Sequence, residues 1–222
     1  MKNALILDFG GVISRRLFET HEATERALAL PPGTLTWRGP FDPSNDPLWQ
    51  RMQAGQISER GYWLQRTREV GRLVGEDWDD MATLVQRARG AEPDGVMRPE
   101  TSALMRDARA AGCRLAVLSN ELDLFYGREL RQRMAILREV DVIVDATYTG
   151  ILKPDARAYT KCLAALGVSA ADAVFVDDQL RNIAGASQIG LTAVAFDVRQ
   201  PAASCDAAWL AMGWSDGRRV SA

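Results

Sequence analysis

Ala4-Leu5-Ile6-Leu7-Asp8-Phe9-Gly10-Gly11-Val12 is an apolar run that stops in a carboxylate and two glycines. A short β-favouring run cut off in this way reads as a buried strand that delivers Asp8 to its C-terminal edge. In an open parallel sheet that edge is where ligands bind. Taken alone, Asp-x-Gly-Gly also serves as an ordinary turn, so the rest of the chain has to decide.

Further apolar, β-rich runs lie at Leu115–Leu118, Val140–Val144, Val174–Val176 and Thr192–Phe196, and from Leu115 onward they alternate with helical patterns. Residues 99–111 predict a helix with proline in the first turn, Leu104, Met105 and Ala108 on one face, and Gly112 as the stop. Residues 156–166 repeat the design with Tyr159, Cys162, Leu163 and Leu166 on one face and Gly167 at the end; 181–189 end at Gly190. Strands alternating with helices of this length imply right-handed crossovers, so the fold class is α/β: a Rossmann-like, doubly wound parallel sheet.

Residues 15–95 break that rhythm. They hold no convincing strand, only amphipathic stretches at Arg16–Ala29, Ser58–Leu73 and Glu76–Ala88, joined by a Pro-, Gly- and Asp-rich loop at Pro31–Pro47. The expected organisation is a core of residues 1–14 and 96–222 with a helical insertion between. Placed directly after the first strand, such an insertion is a candidate lid over Asp8. Trp209–Ala222 reads as a packing segment with a frayed end at Arg218-Arg219.

The 222 residues suit one large domain or a domain with an insertion, and a 47% hydrophobic content suits a full core. No apolar run reaches membrane-spanning length, and Met-Lys-Asn leads straight into the first strand without room for a signal peptide. A net charge of −2 gives no reason to expect nucleic acid or a membrane surface as partner. Cys113, Cys162 and Cys205 are scattered and odd in number, as expected of free thiols in a cytoplasmic protein, monomer or homodimer. The one histidine, His21, excludes any mechanism needing two, and its charged surroundings place it on the surface.

Four features fall at or just beyond the expected strand ends. They are Asp8; Ser119-Asn120 closing Leu115–Leu118; Lys153-Pro154 opening a helix; and Asp177-Asp178 closing Val174–Val176, with Asn182 beyond. Each has an ordinary alternative: a turn for Ser-Asn, an exposed helix start for Lys-Pro, an N-cap for Asp-Asp. Together and in this order they point to a site. Three carboxylates at one sheet edge repel and raise one another's pKa unless a cation neutralises them. A hard divalent ion with oxygen ligands does so, and Mg²⁺ is the usual choice when phosphate is present. Lys153, with the hydroxyl and N–H groups at Ser119 and Asn120, would hold the remaining phosphate oxygens.

The order and context of these residues resemble the haloacid dehalogenase superfamily of phosphohydrolases, in the branch with a helical cap between the first two motifs. The matching stretches are Leu7-Asp8-Phe9-Gly10-Gly11-Val12, Val117-Leu118-Ser119-Asn120, Lys153 to Tyr159, and Phe175-Val176-Asp177-Asp178 with Asn182. Gly55-Gln56-Ile57-Ser58 resembles a turn of that cap. Within the superfamily the chain looks most like the subgroup that includes bacterial α-D-glucose-1-phosphatase. The resemblance implies an aspartyl-phosphate on Asp8, phosphate binding by Ser119 and Asn120, and charge balance by Lys153. It implies Mg²⁺ held by Asp8, Asp177, Asp178 and the backbone carbonyl of Gly10, and a small phosphorylated metabolite as substrate.

One position departs from the pattern. Phosphatases of this superfamily normally carry a second aspartate two residues after the nucleophile, as acid and base, and this chain has Gly10 there. General acid–base help is worth roughly 10²–10⁴-fold. The departure leaves three readings: a phosphatase using another acid (Glu121 is the candidate) or an easily leaving substrate; a phosphate-binding regulatory protein without turnover; or a 2-haloacid dehalogenase, against which the paired aspartates count. The glucose-1-phosphatase subgroup also lacks the aspartate. Candidate substrate contacts are Arg15, Arg16, Trp37, Arg38, Phe41 and Trp49. The tryptophans read alternatively as core of the insertion, and the arginines as a solvated face.

Overall fold

The computed structural model describes residues 1–215, so the Arg218-Arg219 end lies outside the described residues. The backbone forms two compact units. One comprises Met1–Arg15, Met97–Asp123 and the chain from Arg131; the other comprises Arg16–Val96 and Leu124–Leu130. The chain begins with β1 (Ala4–Leu7), followed by α1 (His21–Ala27), α2 (Pro47–Gln53), α3 (Glu59–Leu73) and α4 (Met81–Arg89). It continues through α5 (Pro99–Ala110), β2 (Arg114–Ser119), α6 (Leu122–Arg133), β3 (Val142–Asp145) and α7 (Ala146–Thr149). The last elements are α8 (Ala156–Leu166), β4 (Ala173–Asp177), α9 (Leu180–Gln188), β5 (Thr192–Ala195) and α10 (Pro201–Ala211).

The first unit is an α/β fold whose sheet runs β3-β2-β1-β4-β5, every pair parallel. All four residues of β1 are buried, as a central strand covered on both faces requires. Ile6, Leu118 and Phe175 share a core with Tyr159, Cys162, Leu163 and Leu166 of α8 and Ala186 of α9. On the other side α5 packs against β2 and α10, and α10 against β4 and β5. The α10 helix is absent from the sequence expectation because its apolar residues show no helical period: Pro201–Ala211 is alanine-rich on every side.

In the second unit the rings of Trp37 and Trp49 each lie 5.4 Å from Phe18, with Trp63 at 5.0 Å and Tyr62 at 6.0 Å. Burying such a side chain contributes about 1.5–3 kcal/mol, so this cluster is the hydrophobic centre of the unit. Trp37 and Trp49 are therefore core residues of this unit, the alternative reading given for the tryptophans from sequence. The expected boundary also needs correction at residues 124–130, which group with this unit. Phe125 sets its ring 6.0 Å from Trp63, and the Arg89 guanidinium lies 5.8 Å from the Tyr126 ring centroid while hydrogen-bonding its hydroxyl. Gly127, at φ 71°, breaks α6 in a way only glycine adopts cheaply.

A polar hub sits within the same unit. The side chain of Asp46, fully buried, accepts hydrogen bonds from Gly39 N (3.1 Å), Trp49 N (2.9 Å), the Tyr62 hydroxyl (2.9 Å) and Arg66 Nη2 (2.5 Å). It caps α2, a helix hidden from sequence inspection because Asp46-Pro47 read as part of a loop although proline fits the first helical turn.

His21 is 8% exposed and sits edge-on to Trp37 at 4.3 Å, so it is buried and not a surface residue. Its charged neighbours Glu22 and Arg26 concealed an inward-facing position. Burial, and then the positive charge of Arg38, lower its pKa to about 4. Because the folded state holds the proton less tightly than the unfolded chain, this site's stabilisation is complete above about pH 6.5 and fades as pH falls towards 4. The loss is at most about 3 kcal/mol. Since His21 is the only histidine, its ring-proton NMR titration checks this directly. A midpoint near 4 is expected, and one near 6.5 contradicts the burial.

Candidate active site

In the ladders Leu7 stands opposite Val117 on one side and Val176 on the other, and Asp8 N donates to Val176 O at 2.9 Å. Asp8 therefore lies one step past the end of β1, beside Asp177, the last residue of β4. β1 is where the order of the sheet reverses, the switch point at which open α/β sheets bind ligands.

Lys153 reaches this point from the turn before α8. Its ammonium donates to Asp8 Oδ1 and Asp177 Oδ2, both at 2.7 Å, and its side chain is 1% exposed. The Lys-Pro pair does not open the helix as expected. Asp155 caps α8 by accepting from Arg157 N (2.9 Å), which leaves Lys153 free to point at the sheet edge. Burial draws the Lys153 pKa down, but the charges of Asp177 and Asp8 more than offset it and hold it above its ordinary value. Burial raises the pKa of Asp8, with the charge of Asp177 adding to the rise and Lys153 opposing it. Lys153 is thus a fixed cation between two acids.

Asn120 and Asn182 set this geometry. Lys153 N donates to Asn120 Oδ1 (2.7 Å), and Asn120 Nδ2 donates to Lys153 O (3.1 Å), so Asn120 ties the lysine turn to the end of β2. Its side chain is committed to the protein, leaving the backbone and Ser119 as the phosphate-facing candidates. Asn182 Nδ2 donates to both Asp177 oxygens at 3.0 Å, while Gln179 N donates to Asp177 Oδ1 at 2.8 Å. A glycine is needed where α9 approaches the lysine turn. A Cβ on Gly185 would come within 2.7 Å of Pro154 O and 2.8 Å of Pro154 Cβ. In the sequence Gly185 reads only as part of a helix.

The loop after Asp8 is closely wound. Phe9 O accepts from Ile13 N and Ser14 N, Gly11 N donates to Ser14 O, Arg98 Nε donates to Gly11 O (2.8 Å), and Thr101 Oγ1 donates to Val12 O (2.7 Å). The Ile13 carbonyl accepts Arg98 N. Among the described residues the Gly10 carbonyl has no protein donor, unlike its neighbours. Asp8, Asp177 and Asp178 each offer an oxygen, and the three atoms lie within 4.8 Å of one another. Three carboxylate oxygens and a free carbonyl are the donor set a hard divalent cation takes. The residues present fit such an ion.

Ser119 is buried, and its Oγ accepts from Glu121 N at 3.3 Å. Glu121 is half-buried at the N-cap of α6, Arg15 is half-buried in the first unit, and Arg38 and Phe41 belong to the second unit, exposed and half-buried respectively. Cys113, Cys162 and Cys205 are buried and form no disulfide, and burial pushes the Cys162 thiol up to about 12. These are inert structural thiols.

A five-stranded parallel sheet with an acid at the tip of its central strand, a lysine bridging it to a second acid, and a helical unit inserted after that strand define a hydrolase of the haloacid dehalogenase type. The family model for haloacid dehalogenase-like hydrolases matches residues 2–190, and the chain belongs to that family. Over 99 residues it is 35% identical to Phosphatase MT3486 of Mycobacterium tuberculosis, a match covering 45% of this chain and 46% of that relative. It is 26% identical over 192 residues to sesquiterpene phosphatase astK of Aspergillus oryzae, covering 85% and 86% of the two chains. Among solved structures it resembles in fold the magnesium-bound hydrolase YfnB of Bacillus subtilis, with a TM-score of 0.62, 19% identity and 88% and 86% coverage. No helix among the described residues is long and apolar enough to cross a membrane.

Proposed function

We propose that the protein is a Mg²⁺-dependent phosphatase that hydrolyses a small phosphorylated metabolite, such as a sugar phosphate, through an aspartyl-phosphate on Asp8. The observation that carries this reading is the Lys153 ammonium locked between Asp8 and Asp177 at the switch point, with three carboxylates converging there. A plain structural ion pair needs one acid per cation. An excess of acid around a buried lysine suits a site that takes up a cation and a phosphoryl group together.

In the first half-reaction an Asp8 oxygen attacks phosphorus. The new O–P bond forms as the bond to the leaving oxygen breaks, which gives a mixed anhydride on Asp8. Lys153 holds Asp8 in place and offsets negative charge as the phosphoryl group arrives. Ser119, at the adjacent strand end, offers a hydroxyl to the phosphoryl oxygens. Water then attacks phosphorus, releases inorganic phosphate and restores the carboxylate. Asp8, Asp177, Asp178 and the Gly10 carbonyl would hold Mg²⁺, which when bound would supply Lewis-acid neutralisation of the phosphoryl charge.

Lys153 cannot protonate the leaving oxygen, because its proton is held by two carboxylates. The rate is therefore expected to fall steeply as the leaving group becomes more basic. Gly10 has room for an acid: a Cβ built there meets no atom within 4 Å, and its backbone does not demand glycine. Gly10→Asp is expected to raise kcat/KM for alkyl phosphates by up to about 10²-fold while leaving aryl phosphates little changed, measured across a series of leaving groups. Complete loss of activity in that variant would mean that substrate or another acid fills the space.

The functional assay is Mg²⁺-dependent release of phosphate from p-nitrophenyl phosphate and acetyl phosphate. Halide release from 2-haloacids without metal would replace the reading with a dehalogenase. Thermal stabilisation by phosphate compounds without turnover would replace it with a binding protein.

A further inference from the structure

The residues that enclose the Asp8 loop from outside are Arg98 and Thr101, in the first turn of α5. Arg98 is 3% exposed, and a buried guanidinium is costly to keep unless it does something a neutral side chain cannot. It caps α5 without using its side chain for the cap, and its guanidinium lies 5.6 Å from the Phe196 ring centroid. Its Nε is directed instead at the carbonyl of Gly11, a residue at φ 97°. Thr101, fully buried, takes the next carbonyl, that of Val12.

Two consecutive peptide planes are thereby fixed from one helix turn. In a trans peptide the carbonyl points opposite to the following N–H. The bond from Gly11 N to Ser14 O therefore turns the Gly10 carbonyl away from the loop's interior. Arg98 then prevents the Gly11–Val12 plane from rotating and carrying its neighbour with it. The main chain reinforces the clamp: Arg98 N donates to Ile13 O, and Ser14 pairs with Met97 as an antiparallel bridge.

We propose that Arg98, seconded by Thr101, is a positioning residue for phosphoryl transfer: it holds the loop from Asp8 to Val12 in the one conformation that presents the Asp8 carboxylate and the Gly10 carbonyl together. This rests on the reading of Asp8 as nucleophile. A lysine at 98 keeps the charge but lacks the planar fork and the Nε position, so it does not restore the bond. Thr101→Val keeps the shape and removes the donor.

The test compares the full-length protein with Arg98→Lys, Arg98→Ala, Thr101→Val and, in parallel, Asp8→Asn, using p-nitrophenyl phosphate with Mg²⁺. Arg98→Lys is expected to lower kcat on the order of 10- to 100-fold with KM changed little, as misplacement of a reacting group does. Thr101→Val is expected to shift kcat in the same direction by less. Ethylguanidinium is expected to restore part of the kcat of Arg98→Ala, and not that of Asp8→Asn. Hydrogen exchange without metal or substrate is expected to quicken over residues 9–14 in Arg98→Lys. Full kcat in both Arg98→Lys and Thr101→Val, with Asp8→Asn inactive, overturns the positioning role alone; an active Asp8→Asn overturns the nucleophile assignment beneath it. Should Arg98→Ala fail to fold, Arg98→Lys and Thr101→Val decide.

Discussion

Asp8→Asn is expected to abolish phosphatase turnover, with a fall in kcat on the order of 10³-fold or more, while the protein remains folded. An amide oxygen at this position has neither the charge nor the basicity to displace an alkoxide from phosphorus. The fold should survive for a reason visible in the site. Burial already works against the charged form of Asp8, and Lys153 keeps Asp177 as its partner at 2.7 Å when the Asp8 charge is removed. The ion pair lost is therefore offset by a desolvation cost no longer incurred. Thermal melting alongside steady-state kinetics separates the two effects. A melting temperature within a few degrees of the parent with no turnover is expected, whereas turnover at the parent rate would remove Asp8 from the chemistry.

Asp46→Asn is expected to be the most damaging conservative change outside the site, costing about 3 kcal/mol. The side chain is fully buried and serves four donors, among them a guanidinium that is itself mostly buried. Asparagine keeps the shape but removes the charge, and its NH₂ group faces donors where an acceptor is required. Arg66 retains Glu69 at 2.5 Å, but that carboxylate is 43% exposed and compensates only in part. For a chain of this size the loss corresponds to a drop of roughly 6–12 °C in melting temperature. Tyr62→Phe removes one donor, leaves the charge pair, and is expected to cost about 1 kcal/mol. Equal melting of Asp46→Asn and the parent would show that the network is not what holds the second unit together.

The legibility of these features followed the range of the forces behind them. β1, β2 and β4 were visible as apolar runs because a strand buried on both faces must be apolar at consecutive positions; the half-buried edge strands β3 and β5 are apolar too, and no observed bound differs from the reading by more than two residues. The helix α5 carried its own start and stop signals in Pro99 and Gly112, and α8 and α9 carried their stops in Gly167 and Gly190. Asp8, Ser119 and Asp177 could be placed at one edge because each ends a strand. What long-range contact decides was not legible. Nothing near Asp46 in sequence announces Arg66, and nothing near Gly11 announces Arg98. His21 lies in a charged stretch yet is drawn inward by Trp37. Residues 124–130 join the helical unit through Phe125 and Tyr126, a partnership with Trp63 and Arg89 that no local pattern records. Lys153 was recognised for its charge, while the turn that aims it depends on Asn120 and on the small size of Gly185.

The central claim is that a phosphoryl group passes through the side chain of Asp8. The most direct measurement is acid quenching of the enzyme during turnover of acetyl phosphate with Mg²⁺, followed by borohydride reduction, which converts an aspartyl-phosphate to homoserine, and peptide mass mapping. Homoserine at position 8, absent from enzyme quenched without substrate, is the predicted result. Steady turnover with Asp8 unmodified at every quench time, or with the modification at another carboxylate, would contradict it.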